Sequence, residues 1–146
     1  MFSLAKIHFH HPYKRSRLPK SAKLKSFIER IFEGERQGLE RLDYIFCSDE
    51  YLLDINRSFL NHDYYTDIVT FDLSAASGSP IIGELYISID RVVENAGLLN
   101  CDVQHELLRV IFHGSLHLCG YKDKTKSEIT GIREREDYYL RLFALN

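Results

Sequence analysis

Two histidines in the segment HGSLHLCGYKD carry the chemistry of this chain. His113 and His117 stand four residues apart. On a helix that spacing puts both on one face, with Cβ atoms about 5–6 Å apart, so two imidazoles can share one metal ion. Gly120 can take the left-handed conformation that ends a helix and turns the chain back. Asp123 follows three residues later, where a returning chain supplies a third ligand. A histidine pair alone is weak evidence, because seven histidines in 146 residues produce chance pairs. Gly120 and Asp123 at these spacings, on a helix that is otherwise apolar, strengthen it. Buried imidazoles need polar partners, and a metal ion is the simplest one.

The pattern HxxxHxxGxxD parallels the zinc-peptidase pattern HExxHxxGxxH, with Asp123 in place of the third histidine. The glutamate that polarises metal-bound water in those enzymes is replaced by Gly114. A peptidase of that design would have ligands and no general base. Gly114 also lets another group approach the helix closely. Glu106, seven residues before His113, reads either as a carboxylate supporting a ligand or as a salt-bridge partner. His8, His10 and His11 read as metal or phosphate contacts, or as an exposed polar strand.

These residues need a scaffold, and the hydrophobic periodicity outlines one. Ile7 and Phe9 alternate with polar residues as in a short strand. Residues 21–33 place Leu24, Phe27, Ile28 and Ile31 on one helical face, with Ser21 as a candidate N-cap. Residues 41–47 read as a strand. Ser48 or Asp49 can cap the next helix, and 63–66 form a turn. Strands follow at 67–73 and 82–89, joined by the small-residue loop 74–80. Asp90 can cap a helix through Leu99, and Asp102 a long helix ending at Gly120. A last helix runs from about Ser127 to Leu142. The expectation is an α+β, zincin-like fold. A small mixed β-sheet of about four strands packs with about five helices, and the 102–119 helix lies at the centre.

The length of 146 residues suits one domain, residues 1–146. Apolar residues at 45% and charged residues at 27% exclude a disordered chain. There is no secretory leader pattern and no membrane-length apolar run. Cys47, Cys101 and Cys119 lack CxxC spacing, which fits reduced thiols and a cytoplasmic protein, or small buried side chains. The net charge of −2 hides an asymmetry. Residues 1–28 hold seven Lys/Arg and no acid, so the remainder stands at −9. Lys14, Arg15, Arg17, Lys20, Lys23 and Lys25 form either a phosphate-attracting patch or a solvated face.

The segment RVIFHGSLHLCGYKD (109–123) resembles the HGxLHLxGYDH signature of the YbeY family of bacterial rRNA-maturation endoribonucleases. INRSFLNHDYYTDIVTFDL (55–73) is similar to that family's LNxxYRxxDxPTDVLSF segment, and IIGELYISIDRVVENA (81–96) to its GDIxIS…A segment. REREDYY (133–139) resembles its C-terminal arginine–glutamate stretch. The resemblance implies a metal-dependent hydrolase of single-stranded RNA, acting in maturation of the 3′ end of 16S rRNA and in ribosome quality control. It implies one divalent ion, zinc first, with His113 and His117 as ligands. It implies rRNA and the small ribosomal subunit as partners, with no membrane and no DNA.

Three positions depart from the family pattern: Asp123 for its third histidine, Lys122 for the preceding aspartate and Leu60 for an arginine. An aspartate ligand is harder and anionic, which broadens metal choice towards Mn2+ or Co2+. Arg57 and His62 are the candidates for the role lost at Leu60. Tyr64 and Tyr65 read as base-stacking or rim residues, and Asp67 as a residue that orients the turn. The general base is left open between a metal-bound water and an RNA 2′-hydroxyl. Two other classes remain: a metallopeptidase, and a non-catalytic zinc-containing rRNA-binding assembly factor.

Overall fold

A computed structural model describes residues 5–13, 18 and 21–145. Lys14, Arg15, Arg17 and Lys20 lie outside the described residues. The elements are β1 (Ile7–His10), α1 (Ser21–Gly34), β2 (Leu39–Cys47), α2 (Asp49–Leu60), β3 (Ile68–Asp72), β4 (Ile81–Ser88), α3 (Ile89–Leu99), α4 (Val103–Leu118) and α5 (Lys126–Leu145). The fold is α+β, as expected, with a four-stranded mixed sheet in the order β1-β2-β4-β3. β1, β2 and β4 run parallel, and β3 pairs antiparallel with β4 at the edge. The 74–80 loop is short enough to return the chain as that antiparallel pair.

Both faces of the sheet are covered, and strand alternation decides which residues face which helix. Leu42, Tyr44, Phe46, Leu85 and Ile87 join α1, α4 and α5 in the main core. Val69 packs with Cys47, Leu52 and Ile55 in a smaller core under α2, flanked by Phe71 and Tyr86. α4 is the central helix, with Leu107, Val110, Ile111, Phe112 and Leu116 all buried. Its approach to the sheet depends on two glycines. A Cβ on Gly114 would stand 2.5 Å from Leu85 Cδ2 and 2.6 Å from Ile68 Cδ1. A Cβ on Gly83 would stand 2.7 Å from Leu118 Cδ1. The close approach expected at Gly114 is therefore made by the sheet itself, and a glutamate there has no room.

The helix starts agree with the sequence at Ser48, whose hydroxyl accepts from the Tyr51 N–H. They differ at α3. Ser88 is the N-cap, and its Oγ accepts from Arg91 N. Asp90 lies in the first turn instead, where its carboxylate accepts from Asp49 N. Asp102 occupies the N-cap of α4 without a side-chain capping bond. No described helix is long and apolar enough to cross a membrane. The three cysteines are free, and burial pushes the Cys47 and Cys119 thiols up to about 12.

Candidate metal centre

α4 delivers His113 and His117 one turn apart, their rings nearly perpendicular with centroids at 4.6 Å. The chain then leaves the helix through Gly120, whose φ of +108° an L side chain rarely adopts. Tyr121 N donates to Leu116 O and Gly120 N to His117 O, which closes the helix end. Beyond it, Thr125 and Glu128 form a capping box at the start of α5. Thr125 Oγ1 accepts from Glu128 N, and Glu128 Oε1 accepts from Lys124 N and Thr125 N. Asp123 is thus held on a short link fixed at both ends. Its Oδ2 lies 3.2 Å from His113 Nε2 and 3.2 Å from His117 Nε2. Ligand atoms of the three residues lie within 4.8 Å of one another, and among the described residues no fourth His, Cys, Asp or Glu joins them.

The hydrogen bonds behind the histidines say which nitrogen faces the site. His117 Nδ1 donates to the Tyr121 carbonyl at 2.8 Å, and a carbonyl can only accept. His113 Nδ1 donates to Glu136 Oε2 at 2.6 Å. With Nδ1 so engaged, both Nε2 atoms are left to face the Asp123 carboxylate. A proton on either Nε2 donates to that carboxylate oxygen, and a divalent ion can take the proton's place. Two nitrogens and one carboxylate oxygen, each imidazole backed by a carboxylate or carbonyl, form a donor set suited to a divalent ion such as zinc. These residues therefore fit a metal ion, with the remaining coordination facing the cleft.

Glu136 supplies the supporting carboxylate that the sequence suggested at Glu106. It is 3% exposed and also accepts from Arg109 Nη1 at 2.9 Å. Burial opposes charge on His113, but the Glu136 bond and charge outweigh it, and the His113 pKa stands above its ordinary value. Glu106 is buried too, and its Oε1 has no hydrogen-bond partner among the described residues. Burial, followed by the Asp67 charge, raises its pKa. Burial likewise raises the pKa of Asp67, against the charge of His113 and the backbone N–H groups of residues 67 and 68 that its carboxylate accepts.

Two cavities meet at His113 and Asp123. One of about 510 Å³ runs along β3 and the end of α2, and the other of about 340 Å³ lies between α4 and α5. They share only Asp67, His113 and Asp123. Leu60, His62 and Tyr64 line the larger one, and His62 stacks on Tyr64 with centroids 5.1 Å apart. Asn56 holds this turn by donating from Nδ2 to Tyr64 O. Arg57 lines neither cavity, and its Nε pairs with Asp63 at 2.5 Å. Tyr65 lies under the Arg91 guanidinium instead. Lys23 donates to the Phe143 carbonyl and Lys25 lies over the Phe9 ring, both away from the cleft. His10 pairs with Asp43, His8 with Ala5 O, and His11 stacks on Phe46.

The family model described as Endoribonuclease YbeY matches residues 11–144. An Endoribonuclease YbeY of Cytophaga hutchinsonii is 51% identical over 125 residues, covering 86% of this chain and 87% of its own. Another from Flavobacterium psychrophilum is 44% identical over 118 residues, covering 81% and 83%. The solution structure of TM1509 from Thermotoga maritima superposes with a TM-score of 0.62 at 26% identity, covering 92% of this chain and 88% of that one. With the family model spanning nearly the whole chain and identity this high over most of both partners, the chain belongs to the endoribonuclease YbeY family.

Proposed function

We propose that this protein is a metal-dependent endoribonuclease that cuts single-stranded RNA in the 3′-end maturation of small-subunit rRNA. The observation that carries the reading is the meeting of two imidazole Nε2 atoms and one carboxylate oxygen where two open cavities adjoin. His113, His117 and Asp123 would hold one ion, zinc first and Mn2+ or Co2+ next. A bound ion supplies Lewis acidity and brings the pKa of a coordinated water towards about 7.

The protein's own groups do the rest. Glu136 and the Tyr121 carbonyl keep both Nε2 atoms aimed at the junction. Asp67 lines both cavities, and its carboxyl, which accepts from the backbone N–H groups of residues 67 and 68, orients the turn that carries it. Tyr64, half exposed at the rim, offers a ring on which an unpaired base can stack. Its partners in this reading are rRNA and the small ribosomal subunit in the cytoplasm.

The test is His117→Ala, with bound metal measured by elemental analysis and cleavage of a labelled single-stranded rRNA fragment. The wild type is expected to carry about one ion per chain. Loss of a ligand should cost more than the roughly 100-fold that removing a supporting partner costs. Cleavage at the wild-type rate by a metal-free variant overturns the mechanism.

A further inference from the structure

The cleft around the candidate ligands is acidic, with Asp67, Asp72 and Asp123 lining the larger cavity and Glu106 and Glu136 the smaller. A phosphodiester entering it needs positive charge besides a metal ion. Of the arginines lining the two cavities Arg109 is already committed, as are Arg57 and Arg91 outside them. Arg109 is held by Glu136 and Asp137, Arg57 by Asp63, and Arg91 by Asp49. Two cations stand apart from this pattern. Lys124 lines the larger cavity and Arg133 the smaller, both on exposed positions. Neither side chain makes a hydrogen bond or ion pair among the described residues. Arg133 acts on its surroundings only through its field at Glu106.

The two cavities share Asp67, His113 and Asp123 and otherwise have separate walls, so each cation lines a different one of the two cavities that meet there. Lys124 follows Asp123 directly, and Arg133 lies one turn of α5 before Glu136. The ligand set and the cations therefore sit on one continuous piece of chain. We propose that Lys124 and Arg133 form a two-sided phosphate clamp, holding the backbone of a single RNA strand on both sides of the phosphate to be cut. This rests on the endoribonuclease reading above. It assigns backbone contacts to residues beside the ligands.

Holoprotein kinetics on a single-stranded RNA oligonucleotide test the clamp. The variants are Lys124→Gln, Arg133→Gln and the double substitution. Lys6→Gln serves as a control for net charge, since Lys6 adjoins β1 at the sheet edge opposite β3. The readout is KM against salt concentration under conditions where chemistry is slow, so that KM reports binding. Each single substitution is expected to lower the slope of log affinity on log salt by about 0.7, and the double by about 1.4. Metal content should be unchanged, and Lys6→Gln should match wild type. Wild-type cleavage with salt slopes unaffected by either substitution overturns the clamp and leaves the endoribonuclease reading standing. A metal-loaded wild type that neither binds nor cuts the oligonucleotide overturns both.

Discussion

Asp123 differs from a histidine in that place by charge as well as by donor atom. Two neutral imidazoles and one carboxylate leave a divalent ion with a formal charge of +1, which tightens its binding and softens its pull on a water or phosphoryl oxygen. The supporting bond at Glu136 works the other way, making the His113 nitrogen more basic and fixing its direction. Glu136→Gln keeps the shape and removes the charge. Its metal affinity, measured by competition with a chelating dye, is expected to fall about 10–100-fold. Unchanged affinity would remove Glu136 from the site. His113, His117 and Asp123 were legible in the sequence because a four-residue helical spacing and a helix-ending glycine are local signals. Glu136 was not, because it reaches His113 from 23 positions away. A signal was present: Glu136 is the one acid on the buried stripe of α5, among Ile132, Tyr139, Leu140 and Phe143.

At the level of elements, the site depends on how closely α4 lies on the sheet. Gly114 faces Leu85 and Ile68, and the side chains on either side of it in sequence, His113 and Ser115, point to different work. Ser115 is buried, sharing a hydrogen bond with the Tyr44 hydroxyl at 2.7 Å and donating to Ile111 O. Gly114→Ala puts a methyl where two side-chain carbons already stand. It is expected to cost about 1–3 kcal/mol in urea unfolding and to loosen metal binding by shifting α4 outward. A variant as stable as wild type would mean that Leu85 and Ile68 move aside freely. The elements themselves were legible because their apolar periods are local. The sheet order β1-β2-β4-β3 was not, since strand pairing is set by contacts between distant segments. The cap of α3 was misplaced by two residues because Ser88 and Asp90 are both good caps, and only Ser88 has its hydroxyl at the Arg91 N–H.

For the whole molecule, a ligand that binds only the folded chain adds to its stability. At free metal about 100-fold above the dissociation constant, the gain is about 2.7 kcal/mol, which for a domain of this size raises Tm by about 5–10 °C. Chelator should remove that gain from the wild type and leave His117→Ala unmoved, as read by differential scanning calorimetry. An equal response in both would place the ion elsewhere. The net charge of −2 was a poor guide to this design. A sum over the chain cannot say that Arg109 is neutralised by its neighbours while the other two Lys/Arg lining the cleft, Lys124 and Arg133, are left open.

The segment bearing Asp123 also has a tie to the far side of the molecule. Tyr121, whose carbonyl orients His117, donates its hydroxyl to Glu35 at 2.8 Å, just past the end of α1. Glu35 also accepts from Arg135 at 2.6 Å and from the Tyr139 hydroxyl. These bonds together outweigh its burial and hold its pKa below the ordinary value. A single carboxylate 86 positions away in sequence therefore sits at the seam of α1, α5 and the ligand loop. Opening the loop would break the Tyr121–Glu35 bond, which would couple loss of an ion held at His117 and Asp123 to loosening of that seam. Drift at Glu35 or Tyr139 is in this way constrained by metal retention, although neither residue comes near the ion.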